Sequence, residues 1–158
     1  MAKVKKVMLT NVPTLKKEAS ILDAAKLLVK DGSGCIVILH NNRIPFGIVT
    51  ELDIVRKVIS EGKSLNDHVT DIMNYPVTHV TPNMDLDEAL KIIDTKSFRR
   101  FPVVENDELV GLVTQKDVVT VISSNLKLHR TIQNAVLVLF ILFELFVFIF
   151  YKYLGVRR

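Results

Sequence analysis

A seven-residue pattern occurs twice in this chain, and its repetition limits the possible folds more than any other feature. The copy from Gly47 to Asp53 reads Gly-Ile-Val-Thr-Glu-Leu-Asp, and the copy from Gly111 to Asp117 reads Gly-Leu-Val-Thr-Gln-Lys-Asp. In both copies an apolar strand pattern ends at the threonine, which predicts a strand-to-helix junction at Thr50 and at Thr114. Apolar residues with helical spacing follow each junction: Leu52, Val55, Val58 and Ile59 in the first copy, and Val118, Val121 and Ile122 in the second.

The Thr-x-x-Asp sequence at each junction has two interpretations. In a capping box, the threonine accepts a hydrogen bond from the third helical amide and the acidic side chain reaches back. Alternatively, the unpaired amides of a helix start suit an anionic ligand, and a carboxylate one turn further on accepts hydrogen bonds from sugar hydroxyls. Capping is the simpler interpretation for an isolated copy, whereas the duplication favours a ligand site.

The repeat extends well beyond these two stretches. Shifting the chain by 65 residues aligns residues 21–28 with 86–93 and residues 38–39 with 103–104, and from Gly47 onward the offset is 64. The change of offset falls in a polar turn, where repeats tolerate a change in length.

Each repeat has the pattern of a short extended segment, a helix, two strands joined by a polar hairpin, and a second helix. Ser20 and Asp85 are the predicted N-caps of the first helices. Asn106-Asp107 predicts the hairpin of the second repeat. The small sheet of one repeat leaves an apolar face that the repeat cannot cover alone. The sequence therefore predicts an α+β fold in which two β-α-β-β-α repeats, residues 1–65 and 66–128, pack their small sheets about a pseudo-twofold axis.

Charge and cysteine content exclude several classes of protein. The chain has 21 basic and 17 acidic residues, and residues 1–131 carry 18 and 16 of them. This balance does not fit a nucleic-acid groove. Cys35 is the single cysteine, which excludes an internal disulfide, and it opens an apolar run that predicts a buried, inert thiol. The four histidines have no ligand spacing, so no metal is expected, and no secretory signal is recognisable.

These features together resemble a tandem pair of CBS domains, known as a Bateman module. The resemblance rests on the order of the elements, the Asp71-Ile72-Met73 opening, the strand that begins Arg99-Arg100-Phe101-Pro102, and the doubled Thr-x-x-Asp. It covers residues 4–125. It implies a regulatory module, not an enzyme, that binds an adenosine-containing ligand (AMP, ADP, ATP or S-adenosylmethionine) in a cleft between the paired sheets.

The resemblance also implies roles for single residues. Asp53 and Asp117 would accept hydrogen bonds from ribose hydroxyls, and Thr50 and Thr114 would contact ribose or phosphate. Lys116 is placed to reach a phosphate, whereas Leu52 at the matching position is not.

Arg99 and Arg100 occupy the position at which the family carries phosphate-neutralising basic residues. The first repeat has Gly34-Cys35 there instead. Either the arginines reach across the pseudo-twofold axis, or one of the two clefts is weak or empty; one good nucleotide site is the favoured outcome. The alternative for the arginines is a solvated turn with partners such as Asp94.

Adenine would be held by apolar side chains and by the free backbone groups of an edge strand. The candidates are residues 12–15, among them Val12 and Thr14, and residues 77–80, among them Val77 and His79. Gly47 and Gly111 either let a ligand approach closely or permit tight sheet packing.

The last part of the chain, residues 129–158, is predicted to be a helix of a different kind. From Ala135 to Tyr151 it has 17 residues with one charge, Glu144, and about 25 Å of helix is at the lower limit for crossing a bilayer. Basic residues and tyrosines bracket this run: Lys127, Arg130, Lys152, Tyr153, Arg157 and Arg158. The sequence predicts a membrane anchor over residues 132–154, with the alternative of a helix in the core of a cytoplasmic oligomer.

Glu144 is costly in lipid unless it is paired or protonated, which favours self-association or a membrane-protein partner. The expected protein is thus a single-pass membrane protein whose N-terminal module is cytoplasmic, forms a homodimer and senses an adenine nucleotide. The alternative is a ligand-free scaffold that dimerises and whose tail helix mediates oligomerisation or partner binding.

Overall fold

The computed structural model describes residues 2–41, 43–96 and 99–154, without the side chains of residues 125–129, 151 and 154. The chain divides into two compact units, Met1–Val119 and Thr120–Arg158. Arg157 and Arg158, and the side chains of Lys127 and Tyr151, which the sequence places at the ends of the apolar run, lie outside the described residues.

The first repeat follows the predicted order of elements. It consists of β1 (Thr14–Lys16), α1 (Ile21–Asp31), β2 (Cys35–His40), β3 (Ile44–Thr50) and α2 (Glu51–Ile54), which continues as a π-helix over Val55–Ser60. Strand β2 is central: β1 pairs with it in parallel and β3 antiparallel, so β1 is an edge strand of this sheet.

Ser20 caps α1 as predicted. Its Oγ accepts a hydrogen bond from the Asp23 amide at 3.1 Å, and Asp23 Oδ2 accepts from the Ser20 amide at 3.1 Å. Asp23 Oδ2 also accepts a hydrogen bond from Ser20 Oγ at 2.7 Å. This bond and the one from the Ser20 amide lower the pKa of the Asp23 carboxyl below its usual value, because they stabilise the ionised form.

The second repeat contains α3 (Leu86–Asp94), β4 (Arg100–Glu105), β5 (Glu108–Thr114) and the start of α4 (Gln115–Leu154). The β4–β5 hairpin is confirmed: Asn106 and Asp107 have φ angles of 51° and 63°, as a type I′ turn requires. Asp85 stands at the predicted N-cap of α3 but makes no capping bond with its side chain. Its Oδ1 lies 3.1 Å from Lys3 Nζ.

The segment Val77–Val80 differs from its counterpart β1. It makes one isolated parallel bridge, between Val80 and Val103, so the second sheet has only β4 and β5 as strands. In the first repeat the Val37 amide donates to the Pro13 oxygen at 3.0 Å. The residue that corresponds to Val37 is Pro102, which has no amide hydrogen to donate, and the ladder is shortened at that end.

Strand β2 is buried on both faces, and this joins the two repeats. Ile36 and Ile38 pack on one face with α1. Cys35 and Val37 pack on the other face with Leu112 of β5. The predicted packing of the two small sheets against each other is therefore present in the hydrophobic core.

The opening segment of each repeat pairs with the other repeat. Leu9, near the start of the first repeat, exchanges backbone hydrogen bonds of 2.8 and 2.9 Å with Leu112 in the second. Asn74, near the start of the second repeat, exchanges backbone hydrogen bonds of 2.8 and 3.2 Å with Ile48 in the first.

Gly47 and Gly111 adjoin these crossings. A Cβ at Gly47 would lie 2.5 Å from Met73 Sδ, and one at Gly111 would lie 2.9 Å from the Leu9 carbonyl oxygen. The structure therefore supports tight packing, and not close approach of a ligand, as the reason for a glycine at both positions.

The helix after Thr50 has a different buried face from the predicted one. Ile54 and Val58 pack against the core, whereas Leu52, Val55 and Ile59 are 60%, 53% and 76% exposed. Of the four residues with the predicted spacing, only Val58 packs against the core, and its buried partner Ile54 lies four residues earlier. The helical spacing therefore holds, and the sequence analysis chose the wrong face.

Helix α4 continues from Gln115 to Leu154 without interruption, although the sequence assigns these residues to two elements. The stretch contains neither proline nor glycine, the residues that most often end a helix. Within it, the segment Arg130–Phe150 is long and apolar enough, by length and composition, to cross a membrane.

Candidate functional site

Both Thr-x-x-Asp sequences form capping boxes. Asp53 Oδ2 accepts hydrogen bonds from the Thr50 amide at 2.7 Å and from Thr50 Oγ1 at 2.6 Å, and the Asp53 amide donates to Thr50 Oγ1 at 3.3 Å. The corresponding distances between Thr114 and Asp117 are 3.1, 2.6 and 3.2 Å. The capping interpretation is confirmed at both junctions.

Capping leaves each aspartate with a second oxygen. Among the described residues, no hydrogen bond reaches Oδ1 of Asp53 or of Asp117. The capping bonds use two of the amides on which the anion-binding interpretation depended. What remains available to a ligand at these junctions is a carboxylate acceptor, which suits a hydroxyl group.

A cleft of about 620 Å³ lies at the first junction, within the usual size range of a small-molecule site. Thr50 and Asp53 of the first repeat line it together with Arg99 and Arg100 of the second repeat. The structure thus brings together four of the residues that the sequence singled out, and it does so across the two repeats.

Arg100 enters this cleft through space that Gly34 leaves open. Its Nη2 lies 2.6 Å from the position that a Cβ on Gly34 would take, and Glu51 Oε2 lies 3.8 Å from the same point. Gly34 occupies the position in the first repeat that Arg99 has in the second. Because Gly34 has no side chain, Arg100 can extend into the first repeat.

Arg56 also lines the cleft, and the sequence analysis did not identify it. It stands three residues after Asp53, so the two side chains lie on one side of a helical turn. That spacing was the available signal in the sequence.

The arginines of the cleft have no acidic partners within the described part of the chain. The salt bridges there are Lys3–Asp85, Arg43–Glu108 and Lys57–Glu61. The side chain of Asp94, the partner expected for a solvated turn, lies 3.4 Å from Gln115 Nε2 instead. Arg56, Arg99 and Arg100 thus line one concave site together with Glu51 and Asp53, and none of the three guanidinium groups forms a salt bridge with a described residue.

A much smaller cavity, of about 10 Å³, adjoins the cleft. Ile48, Asn74 and Arg100 line both, and the smaller one adds Val77 and Thr78. Among the residues predicted to contact adenine, Val77 therefore lines the same cavity as Arg100. His79 is exposed and lines neither cavity.

The remaining candidates lie elsewhere. Val12 and Thr14 line a separate cavity of about 180 Å³ beside Gly111. Thr114, Lys116 and Asp117 line neither that cavity nor the 620 Å³ cleft. The structure therefore gathers candidate residues unequally, with the stronger constellation at Asp53.

Cys35 follows Gly34 and is fully buried, as the sequence predicts. Burial raises the pKa of its thiol to about 11, and the positive charge of Arg100 opposes this rise. Because the thiolate is the nucleophilic form, this cysteine is an inert core residue at neutral pH.

Two copies of a sheet-and-helix repeat that share a cleft define a two-repeat binding module. Residues 4–60 and 69–124 each match the CBS domain, and the chain belongs to the CBS domain family.

Two relatives match most of this chain. The uncharacterized protein MK0525 from Methanopyrus kandleri is 36% identical over 116 residues, which are 72% of this chain and 57% of the relative. The CBS domain-containing protein YhcV from Bacillus subtilis is 29% identical over 117 residues, which are 74% of this chain and 83% of the relative. The chain thus spans little more than half of MK0525.

Solved structures of CBS proteins have the same fold. The protein AcuB from Vibrio cholerae has a TM-score of 0.70 at 27% identity, with 83% of this chain and 97% of that chain covered. CBSX2, solved in complex with AMP, has a TM-score of 0.66 at 26% identity and covers 78% of this chain and 98% of its own.

Proposed function

We propose that this protein is a regulatory module that binds an adenosine-containing ligand, AMP, ADP, ATP or S-adenosylmethionine, in the cleft at Asp53, and that helix α4 tethers it to a membrane. The observation that carries the ligand proposal is the meeting of Asp53 from one repeat with Arg100 from the other at a single cleft. The solved complex of the related protein CBSX2 with AMP supports the ligand class.

The ligand groups have complementary positions along the cleft. Ribose hydroxyls donate to the free Oδ1 of Asp53, and phosphate oxygens accept from Arg99 and Arg100, since guanidinium groups bind phosphate in a bidentate manner. The adenine ring lies at the end of the cleft towards Val77 and Thr78. The adjoining cavity that these residues line has about 10 Å³, the space of one water, so it widens when the ring enters. Because the cleft is built from both repeats, a ligand there stabilises one relative position of the repeats, which is the basis of regulation.

Isothermal titration of the full-length protein in detergent micelles tests the ligand proposal. The titrants are AMP, ADP, ATP and S-adenosylmethionine. We expect saturable heat with at least one of them, and the absence of heat with all four would refute ligand binding.

The membrane proposal rests on the segment Arg130–Phe150 of α4. According to this proposal, the module of residues 1–131 is cytoplasmic. Glu144 then pairs within the membrane with a second copy of the protein or with another membrane protein. Alkaline extraction of expressing cells tests the tether: the protein should remain in the membrane pellet, and release into the supernatant would contradict it. Protease treatment of intact cells should leave the module uncut.

The alternative function is a ligand-free scaffold that forms a homodimer. Two observations favour it: the capping boxes are complete without a ligand, and Val55 and Ile59 expose apolar side chains on one helix. Homodimer formation is compatible with both functions, whereas titration heat is compatible only with the first.

A further inference from the structure

The positive charge of the two repeats is distributed unequally at equivalent positions. Arg56, Arg99 and Arg100 all line the cleft at Asp53. With the offsets of the repeat, their counterparts are Thr120, Gly34 and Cys35, none of which is charged. The cleft at Asp53 therefore has three cations that the equivalent positions around Asp117 lack.

The three arginines approach the cleft from different elements. Arg100 is the first residue of β4 and Arg99 directly precedes it, whereas Arg56 is on the helix that follows β3, one turn after Asp53. A ribose bound at Asp53 thus has guanidinium groups on the strand side and on the helix side. Arg99 and Arg100 suffice for one phosphate, and Arg56 remains for a further one.

The charge of the cleft also bears on the ligand. Glu51 and Asp53 are its acidic residues, against three arginines, so its net charge is positive. S-adenosylmethionine carries a sulfonium group, an ammonium group, one carboxylate and no phosphate, so it brings a net positive charge and a single anionic group to the three guanidinium groups. Each additional phosphate of a nucleotide adds acceptors for charge-assisted hydrogen bonds.

Resting on the proposed function, we propose that this cleft selects adenosine ligands with two or three phosphates, and that Arg56 determines this selection by contacting the phosphates beyond the first.

Titration of wild type and Arg56→Ala with AMP, ADP, ATP and S-adenosylmethionine, in magnesium-free buffer with the full-length protein in micelles, tests this inference. We expect ADP and ATP to bind wild type more tightly than AMP and S-adenosylmethionine. Arg56→Ala should lower the affinity for ADP and ATP by about tenfold and change the affinity for AMP by less than about threefold, because only the longer phosphate chains lose a charged hydrogen bond.

Lys57→Ala is the matched control. It removes one positive charge from the same helix, but Lys57 pairs with Glu61 at 3.1 Å and does not line the cleft. It should leave the preference for ADP and ATP unchanged. Arg56→Lys keeps the charge without the bidentate geometry and should have an intermediate preference.

Three outcomes would overturn the inference: tighter binding of S-adenosylmethionine than of ADP, an equal effect of Arg56→Ala on AMP and ADP, or an equal effect of Lys57→Ala. In each of these the proposed function would stand, since a ligand binds. The absence of binding by all four ligands would remove the proposed function and the inference together.

Discussion

The guanidinium group of Arg100 occupies the space that a side chain on Gly34 would fill. Arg100 Nη2 lies 2.6 Å from the position of a Cβ at residue 34, closer than real Cβ contacts come. Arg100 belongs to the second repeat and Gly34 to the first, so this contact places a cation of one repeat at the Thr-x-x-Asp junction of the other.

Gly34→Ala should therefore displace Arg100 and weaken ligand binding by about tenfold, the effect of losing a charged hydrogen bond. Gly34 has a φ of 69°, so alanine there also strains the backbone, at about 1–2 kcal/mol. The clash itself adds little to this cost, because the end of an arginine side chain moves easily. Calorimetric titration gives the affinity, and denaturant unfolding gives the stability.

Gly32→Ala is the control for the strain. Gly32 has a φ of 70°, and a Cβ there would meet nothing within 4 Å. We expect both variants to lose similar free energy of unfolding, with ligand affinity lowered only in Gly34→Ala. Equal affinities in the two variants would show that Arg100 is not needed for binding.

Asp53→Ala and Asp117→Ala form a second matched pair. Each removes the acidic member of a capping box and should lower the free energy of unfolding by about 1 kcal/mol. Only Asp53 lines the cleft with the arginines, so only Asp53→Ala should abolish or strongly weaken ligand binding. Equal loss of affinity in both variants would instead indicate a second site at Asp117.

Much of this molecule is predictable because the repeat doubles each local signal. Ser20, the Asn106-Asp107 turn and the two Thr-x-x-Asp junctions act through neighbours in sequence, and their short-range hydrogen bonds follow from residue type. The pairing of the two sheets follows from the apolar face that each leaves open.

The features that sequence reasoning missed depend on distant partners. The helix after Thr50 has apolar residues on two faces, and only the packing against the core selects the face with Ile54 and Val58 over that with Leu52, Val55 and Ile59. Arg56 belongs to the cleft only because Arg99 and Arg100 arrive from the other repeat. Pro102 shortens a ladder whose other strand lies more than twenty residues earlier in the chain.

Gly111→Ala should destabilise the protein more than Gly47→Ala. A Cβ at residue 111 would lie 2.9 Å from the Leu9 carbonyl oxygen, whose backbone is fixed by hydrogen bonds to Leu112. At residue 47 the closest atom is Sδ of Met73, at 2.5 Å, in a side chain that can rotate away. We expect Gly111→Ala to cost about 1–3 kcal/mol of unfolding free energy, the usual range for overpacking. Denaturant unfolding of both variants measures this, and a larger loss in Gly47→Ala would contradict it.

Val55→Glu and Ile59→Glu should convert the proposed homodimer to a monomer. Their side chains are 53% and 76% exposed on one helix, and a carboxylate buried at an apolar interface without a partner is costly. Val29→Glu on α1, at a residue that is 86% exposed, is the control and should leave the dimer intact. Light scattering coupled to size-exclusion chromatography gives the mass of the protein in micelles. A dimer in all three variants would place the interface elsewhere.

The buried thiol of Cys35 should make stability depend on pH in the alkaline range. Its pKa is about 11 in the folded protein, compared with the usual 9.0, so the folded state keeps a proton that the unfolded state has released. The contribution of this thiol to stability is thus complete below pH 9.0 and is lost as the pH rises to about 11. Denaturant unfolding between these pH values should show a steeper decline for wild type than for Cys35→Ala. At pH 8 a thiol reagent should react with Cys35 only after unfolding; rapid reaction with the native protein would mean that the cleft behind Gly34 opens to solvent.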